Sequence, residues 1–411
     1  MRNASAALLL LLLPAALCAQ TAVLTFEAAE KAMLAANPRT AAAALELETA
    51  RLRAAAARAG FYPSFSADAS YGRSGGQGRA DGNSYSYGIG GTQPLFAPSV
   101  PAAVRAADAA VKSGQAAYNS ITSDLRYQLK TAFASILNSR ETIKLSEETL
   151  KRRAENLELI RLKYQAGREN KAALLETEAA LKTAQWQHEK YKNAQHMLER
   201  GLNRLLGRAA QAPAPELELP LPPAPPEEFS VFSQRLEAHY SLMSARAALA
   251  AAQAALNGAK NALLPSASAS GGYSWSGTDW PGTSNGWRLG ASVSVPLFSS
   301  GRLSSDLAAE KTSWRAAEFG LKNVSDEVYL NAEEAFFAWR EAGAYMNVAK
   351  SSLDAAEARA WLVRKQYLAG QASYFEWRNV EDQFIIEQNQ YLAAGRGLIL
   401  SHAAFARAIG E

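Results

Sequence analysis

The sequence predicts a mainly α-helical chain with a transmembrane β part. Each chain carries duplicated long-helix hairpins and two β-hairpins, and three copies would give twelve strands and twelve stacked helical columns. Three observations predict this. The stretch Pro265–Phe298 alternates with period 2, the flanking helical patterns are far longer than a globular domain needs, and the whole arrangement occurs twice.

In the second strand of that stretch, Trp287, Leu289, Ala291, Val293 and Val295 share one face, and Arg288, Gly290, Ser292 and Ser294 the other. The first strand sets Ala267, Ala269, Gly271, Tyr273 and Trp275 against Ser266, Ser268, Ser270, Gly272 and Ser274. Each run is about ten residues, the length a tilted strand needs to cross a bilayer. A loop from Gly277 to Gly286 joins them, with Tyr273, Trp275, Trp280 and Trp287 gathered around it. Aromatics collected at one end of apolar-out, polar-in strands form the interfacial girdle of a membrane barrel. A soluble hairpin with one half-buried face gives the same alternation, so this stretch alone leaves both readings open.

Earlier in the chain, residues 1–19 read as a secretory leader: Arg2, an apolar Leu8–Leu13, and Ala19 before the cleavage point. Cys18 raises a lipoprotein signal, but Leu17 stands where a small residue should precede a lipid-modified cysteine, which favours ordinary cleavage. Cys18 is the only cysteine, so the mature chain relies on packing without disulfides. Phe26–Gly60, rich in Ala, Leu, Glu and Arg, reads as one helix. Pro63 then opens an alternating strand to Tyr71, Gly72–Asn83 reads as a loop, and Ser84–Phe96 returns, with Tyr85 and Tyr87 near the loop. From Ser99 to about Ala166 runs a long helical pattern, broken at Gly167 and resumed to Gly207. No later run of apolar residues is long enough for a membrane helix, so any spanning must use strands.

The halves repeat almost without drift. Pro63-Ser64 matches Pro265-Ser266 and Pro94-Leu95-Phe96 matches Pro296-Leu297-Phe298 at an offset of 202. Tyr164-Gln165-Ala166-Gly167 matches Tyr367-Leu368-Ala369-Gly370, and Leu206-Gly207 matches Ile409-Gly410, at 203. This divides the chain into a first structural repeat over 20–207, with its β-hairpin at 63–96, and a second over 229–411, with its β-hairpin at 265–298. Between them, 208–228 is a Pro-rich linker that cannot be regular helix and reads as an extended connector against the helices.

Each long helix would reach about 100 Å at 1.5 Å per residue. A rod of that length buries no single globular core, and its Ala-rich faces at Ala41–Ala44 and Ala247–Ala255 suit lateral packing against other helices. Four strands cannot close a membrane barrel, and open sheet edges are not tolerated in lipid. Three copies, supplying twelve strands, resolve the conflict.

The duplicated order of helix, Pro-Ser strand, Pro-Leu-Phe strand, long helix, Tyr-x-Ala-Gly and closing Leu/Ile-Gly resembles the TolC-type outer-membrane efflux proteins (the outer membrane factor family) over essentially the whole mature chain. The resemblance implies a homotrimeric channel-tunnel, with a 12-stranded β-barrel in the cell outer membrane and an α-helical barrel extending into the periplasm. It implies contact with outer-membrane lipid and docking on a periplasmic adaptor protein and an inner-membrane pump of RND, ABC or MFS type. Tyr164, Gly167, Tyr367 and Gly370 then mark the helical tips that dock. Tyr71, Tyr85, Tyr87, Tyr273, Trp275 and Trp287 form the membrane girdle. In the family the tip glycine is followed by hydrophobic-Asp-Val-Leu. The acid's place is taken here by Ala173 in the first half and by Glu376 in the second, with Asn379 where some members carry another acid. Glu376 is the candidate pore gate.

Other chemistry finds no support. His188, His196, His239 and His402 are too scattered to share a metal site. Gly88-Ile-Gly-Gly91 lies in a strand with no helix opening after it, so it is no phosphate loop. No nucleophile–base arrangement stands out, and with a net charge of +4 no basic block suggests a nucleic-acid footprint. The sequence thus points to a passive duct with no enzymatic activity and no cofactor. The competing reading, a periplasmic helical-hairpin adaptor, leaves the four alternating strands without a purpose.

Overall fold

The computed structural model describes residues 24–76, 79–213 and 215–411; the expected leader, with Cys18 and Ala19, lies outside them. Strand β1 (Leu24–Thr25) leads into helices α1 (Phe26–Ala36) and α2 (Pro38–Ala59). The single helix expected over Phe26–Gly60 is therefore two. Proline disfavours helical backbone in the residue before it, and Asn37 is extended at φ −76°, ψ 125°. Asn37 Oδ1 then accepts from the Arg39 N–H at 2.9 Å, capping α2, and its Nδ2 donates to the Leu205 carbonyl at 3.1 Å.

Strands β2 (Ser64–Gly76) and β3 (Arg79–Phe96) follow, then helices α3 (Ser99–Gln165) and α4 (Lys171–Leu205). The linker contributes β4 (Leu217–Glu218), parallel to β1 with Leu24 opposite Leu217. A 3-10 turn at Phe229–Phe232 and helices α5 (Ser233–Glu237) and α6 (Tyr240–Asn261) lead to strands β5 (Ser266–Gly277) and β6 (Ser284–Ser294). Helices α7 (Arg302–Leu368) and α8 (Tyr374–Ala408) end the chain. The repeat is visible in the lengths: α3 and α7 have 67 residues each, α4 and α8 have 35 each.

The four-stranded sheet runs β2-β3-β5-β6, antiparallel throughout. Hairpin pairs superpose under the sequence offset: Ser64 faces Thr92 in the first and Ser266 faces Ser294 in the second. The loop expected over Gly72–Asn83 is mostly strand, with Gly72 opposite Ser84 and Ser74 opposite Gly82. Backbone pairing needs no side chain, so small turn-type residues do not stop it. At the other end, Val295–Phe298, expected as strand, is irregular, whereas Gln93–Phe96 stays in β3. Pro94 and Pro296 each lack an N–H. In β3 the segment around Pro94 is held across a bulge by pairing to β5, while β6 is paired in this chain only to β5.

Among the helices, α3 packs against α2 and α4 and also against α6 and α8, while α7 packs against α6 and α8. Buried side chains collect in three separate clusters along the rod. One joins Met33 of α1, Leu125, Leu129, Phe133 and Ile136 of α3, Leu202 and Leu206 at the end of α4, and Leu217 of the linker. Its counterpart joins Val328, Ala332, Phe336, Trp339, Phe405 and Ile409, which stand 203 residues beyond Leu125, Leu129, Phe133, Ile136, Leu202 and Leu206. The third lies at the helical tip.

Phe133 and Phe336 are both almost fully buried at equivalent places. Phe133→Ala and Phe336→Ala should each cost about 3–5 kcal/mol of stability, the range for emptying a closed aromatic site. Denaturant melts of the two variants check this. A loss below about 1 kcal/mol would mean that the sites collapse or are wet.

Candidate functional site

Both helical tips are built the same way. Gly167 has φ +70° and Gly370 φ +78°, a left-handed conformation that only glycine adopts without strain. The Arg168 N–H donates to the Lys163 carbonyl at 2.8 Å and the Gly167 N–H to that of Tyr164 at 3.0 Å. Gln371 and Gly370 repeat the pattern onto Gln366 at 2.8 Å and Tyr367 at 3.2 Å. These paired bonds satisfy the last carbonyls of α3 and α7 and reverse the chain. The next helices are capped equivalently: Asn170 Oδ1 accepts from the Ala173 N–H at 2.8 Å, and Ser373 Oγ from the Glu376 N–H at 3.2 Å.

The repeats then diverge. Tyr164 is 39% exposed, whereas Tyr367 is 3% exposed. The Tyr367 ring stacks on Trp377 with centroids 4.6 Å apart, and Lys163 Nζ lies 3.6 Å from its centroid. Its hydroxyl donates to Glu169 Oε2 at 3.0 Å; burial first, then this carboxylate, pushes the phenol pKa well up. Burial lowers the Lys163 pKa, partly offset by Glu169. Ala173 is buried in the tip cluster with Ile160, Val363, Tyr374, Trp377 and Phe384, while its equivalent Glu376 is exposed.

The tip also holds acids that the sequence analysis did not single out. Glu381, only 2% exposed, meets Arg152 at 3.4 Å, and neighbouring Asp382 meets Arg153 at 2.5 Å. Arg378 of α8 reaches Glu176 of α4 at 2.6 Å. Trp377, Val380 and Phe384 already define the buried face of α8, and Glu381 falls on it at helical spacing. A carboxylate placed there demands a cation, which was the available signal.

At the opposite end, the structure brings all six residues expected to form the girdle onto one face of the sheet. Tyr71 lies against Tyr85 at 5.0 Å, Tyr87 stacks on Trp275 at 5.4 Å, Tyr273 meets Trp275 at 4.6 Å, and Trp287 stands opposite Tyr273. Trp280, from the loop, closes over Tyr87 at 5.1 Å. A second apolar band, missed in the sequence, edges the helical end of the sheet: Phe65, Leu95, Phe96, Leu297 and Phe298 are all exposed. Between the bands this face carries Ala67, Ala69, Ile89, Ala269, Leu289, Ala291 and Val293. The reverse face is Ser, Gly and Thr, with Asp68 and Arg288 as its charges among the described residues. No helix among the described residues is long and apolar enough to cross a membrane.

The histidines take structural parts. His188 Nδ1 lies 2.7 Å from Ser146 Oγ, His239 Nδ1 accepts from the Ser241 N–H at 3.2 Å to cap α6, and His402 packs on Trp339 at 4.8 Å. Burial lowers the pKa of His239 and His402. Among the described residues no three His, Cys, Asp or Glu side chains are grouped to hold a metal ion.

Comparison with known proteins gives a family and a fold. The family model described as outer membrane efflux protein matches residues 31–208 and 231–411. The outer membrane efflux protein BepC of Brucella suis is 22% identical over 293 residues, covering 69% of this chain and 63% of BepC, so the match spans less than two thirds of that relative. Among solved structures, CusC, studied for its folding and transmembrane channel formation, superposes with a TM-score of 0.84 at 18% identity, over 93% of this chain and 91% of its own. The outer membrane channel CmeC of Campylobacter jejuni gives 0.81 at 16% identity, over 94% and 85%. The open-state outer membrane channel MtrE of Neisseria gonorrhoeae gives 0.80 at 19%, over 94% and 88%. At these identities the superpositions speak for the fold.

Proposed function

The chain belongs to the outer membrane efflux protein family, and we propose that it forms the passive exit duct of a tripartite efflux pump or a type I secretion system. One observation carries this reading. A sheet apolar across one face and polar across the other, with both edges open, caps helices of 67 residues. Such a sheet suits the outer membrane once its edges are paired, and the helices, about 100 Å long, suit a tube through the periplasm. Three copies close the barrel; the apolar face and the girdle then meet lipid, and the Ser/Gly face lines the pore. The duct makes and breaks no bonds and needs no cofactor.

The tips, furthest from the sheet, are the proposed docking points for a periplasmic adaptor and, through it, an inner-membrane pump of RND, ABC or MFS type. Tyr164, exposed beside Gly167, is available to such a partner, whereas Tyr367 instead ties the second tip into its own cluster. Glu376, exposed near the start of α8, is proposed as the gate. Three-fold symmetry would make it a ring of three carboxylates, whose mutual repulsion in a narrow pore favours bound cations.

Three measurements test this reading. Release from membranes should require detergent, and light scattering should give a mass near three mature chains; a stable folded monomer released without detergent would overturn the duct. A Cβ at Gly167 or Gly370 meets no neighbour within 4 Å, so the chief cost of Gly167→Val or Gly370→Val is backbone strain, about 1–2 kcal/mol and local. Both variants should insert normally yet lose export, and export at the wild-type rate would remove the docking role. In planar bilayers, trivalent cation added on the tip side should block wild-type channels at low concentration and spare Glu376→Ala. Equal block of both would leave Glu376 with no part in the gate.

A further inference from the structure

Helices α2 and α6 are repeat equivalents, and each begins on a buried cap. Asn37 and His239, 202 residues apart, are both 6% exposed and both extended, at φ −76°, ψ 125° and φ −60°, ψ 136°. Asn37 Oδ1 accepts from the Arg39 N–H, and His239 Nδ1 accepts from that of Ser241, again 202 residues on. Each cap also touches the end of its repeat's last helix. The Asn37 side chain donates to the Leu205 carbonyl at the end of α4. The His239 ring faces the Arg407 carbonyl in the last turn of α8, and a Cβ at Gly410 would lie 3.2 Å from its Cδ2. Helix α6 runs on towards β5 and α8 returns from the tip, so His239 ties the two ends of the second repeat together.

The two caps differ in one chemical property. An amide keeps its acceptor at every pH, whereas an imidazole accepts at Nδ1 only while neutral. The Ser241 N–H therefore fixes the neutral tautomer, with its proton on Nε2. A second proton would turn Nδ1 into a donor facing a donor, and would set a positive charge on the positive end of the α6 dipole. We infer that His239 is an acid-sensitive joint: the neutral ring holds the start of α6 against the end of α8, and its protonation releases them. Asn37 keeps the matching joint of the first repeat closed at the same pH.

The surroundings of the ring do not stabilise the cation. Arg407 of α8 is itself positive, and is held by Asp124 at 3.0 Å and by the Tyr127 ring at 5.4 Å. Tyr127 of α3 and Glu327 of α7 line the same recess as His239 without pairing with it. On the N-terminal side, Glu237 of α5 gives its carbonyl to Arg246 at 2.8 Å, and Arg235 takes the Glu411 carboxylate. Tyr240 covers the ring at 4.1 Å. Burial accordingly holds the imidazole below its ordinary 6.5, and the Arg407 carbonyl offsets part of this. A histidine depressed in the folded state takes its proton more readily once released, so the joint holds above about pH 6.5 and weakens as pH falls below it. Burial also lowers the His402 pKa, but that ring packs on Trp339 and caps no helix.

Amide hydrogen exchange of the full-length protein in detergent, corrected for the intrinsic pH dependence of exchange, tests this joint. Between pH 7.5 and 5.0, protection over residues 239–244 should fall at least about five-fold relative to residues 37–42, which serve as the internal control. His239→Asn installs the cap that the first repeat already uses, and should hold the ratio within about two-fold. His402→Asn should leave the wild-type fall in place. A wild-type ratio that does not change, a fall that survives His239→Asn, or a fall abolished by His402→Asn would each overturn the joint. The readout compares two segments of one chain, so none of these results bears on the duct.

Discussion

Unpaired backbone at the edge of a sheet is the constraint on which the rest of this structure depends. Strands β2 and β6 present polar groups along the outer sides of a sheet whose adjoining face is apolar from Phe65 to Trp287. In water such an edge is an aggregation hazard; in lipid each unsatisfied group costs several kcal/mol. Turning the alternation around would remove the apolar face, and adding strands to the chain would abolish the need for partners. The chain does neither. It keeps four strands and repeats its own unit.

Length imposes the second constraint. A helix of 67 residues cannot be stabilised by one core, and buried side chains collect instead at separate stations. Two of these are the same station built twice, with Phe133 and Phe336 at their centres. The linker joins the first through Leu217, anchored by the Leu24 pairing and by the Arg140 side chain, which donates to the Pro215 carbonyl at 3.1 Å. Seven prolines keep this connector extended, and extension lets a short segment reach along the helices.

The third station, at the tips, is where the repeats diverge. The same turn and the same caps hold Tyr164 at the surface and Tyr367 in the cluster, and leave Ala173 inward and Glu376 outward. The charged pairs of the tip are likewise one-sided. Arg152 and Arg153 of α3 face Glu381 and Asp382, but the positions 203 residues beyond those arginines are Ala355 and Ala356. A symmetric scaffold therefore ends in an asymmetric tip, where Arg–carboxylate pairs fix how α3 and α8 lie together. Glu381, nearly buried, is the most sensitive of these acids to loss of its cation.

The sequence by itself determined the class of elements, their order, the duplication, the aromatic cluster at the loop end of the strands and the tip glycines. These are properties of neighbours along the chain: period-2 alternation, helix-forming composition, and glycine where the backbone turns left-handed. It also raised the expectation that the chain needs copies of itself, because strand number is a count. It missed the break that Pro38 imposes at Asn37, and it misplaced the extent of the first hairpin and the end of β6, since propensity is silent on whether a strand finds a partner. Only the tertiary structure decided which of two identical motifs is buried, that Glu381 rather than Glu376 meets an arginine, and that Leu297 and Phe298 complete a second apolar band. Those outcomes depend on which faces of α3, α4, α7 and α8 converge. A residue's surroundings at such a convergence come from segments about 200 residues away, which no local pattern contains.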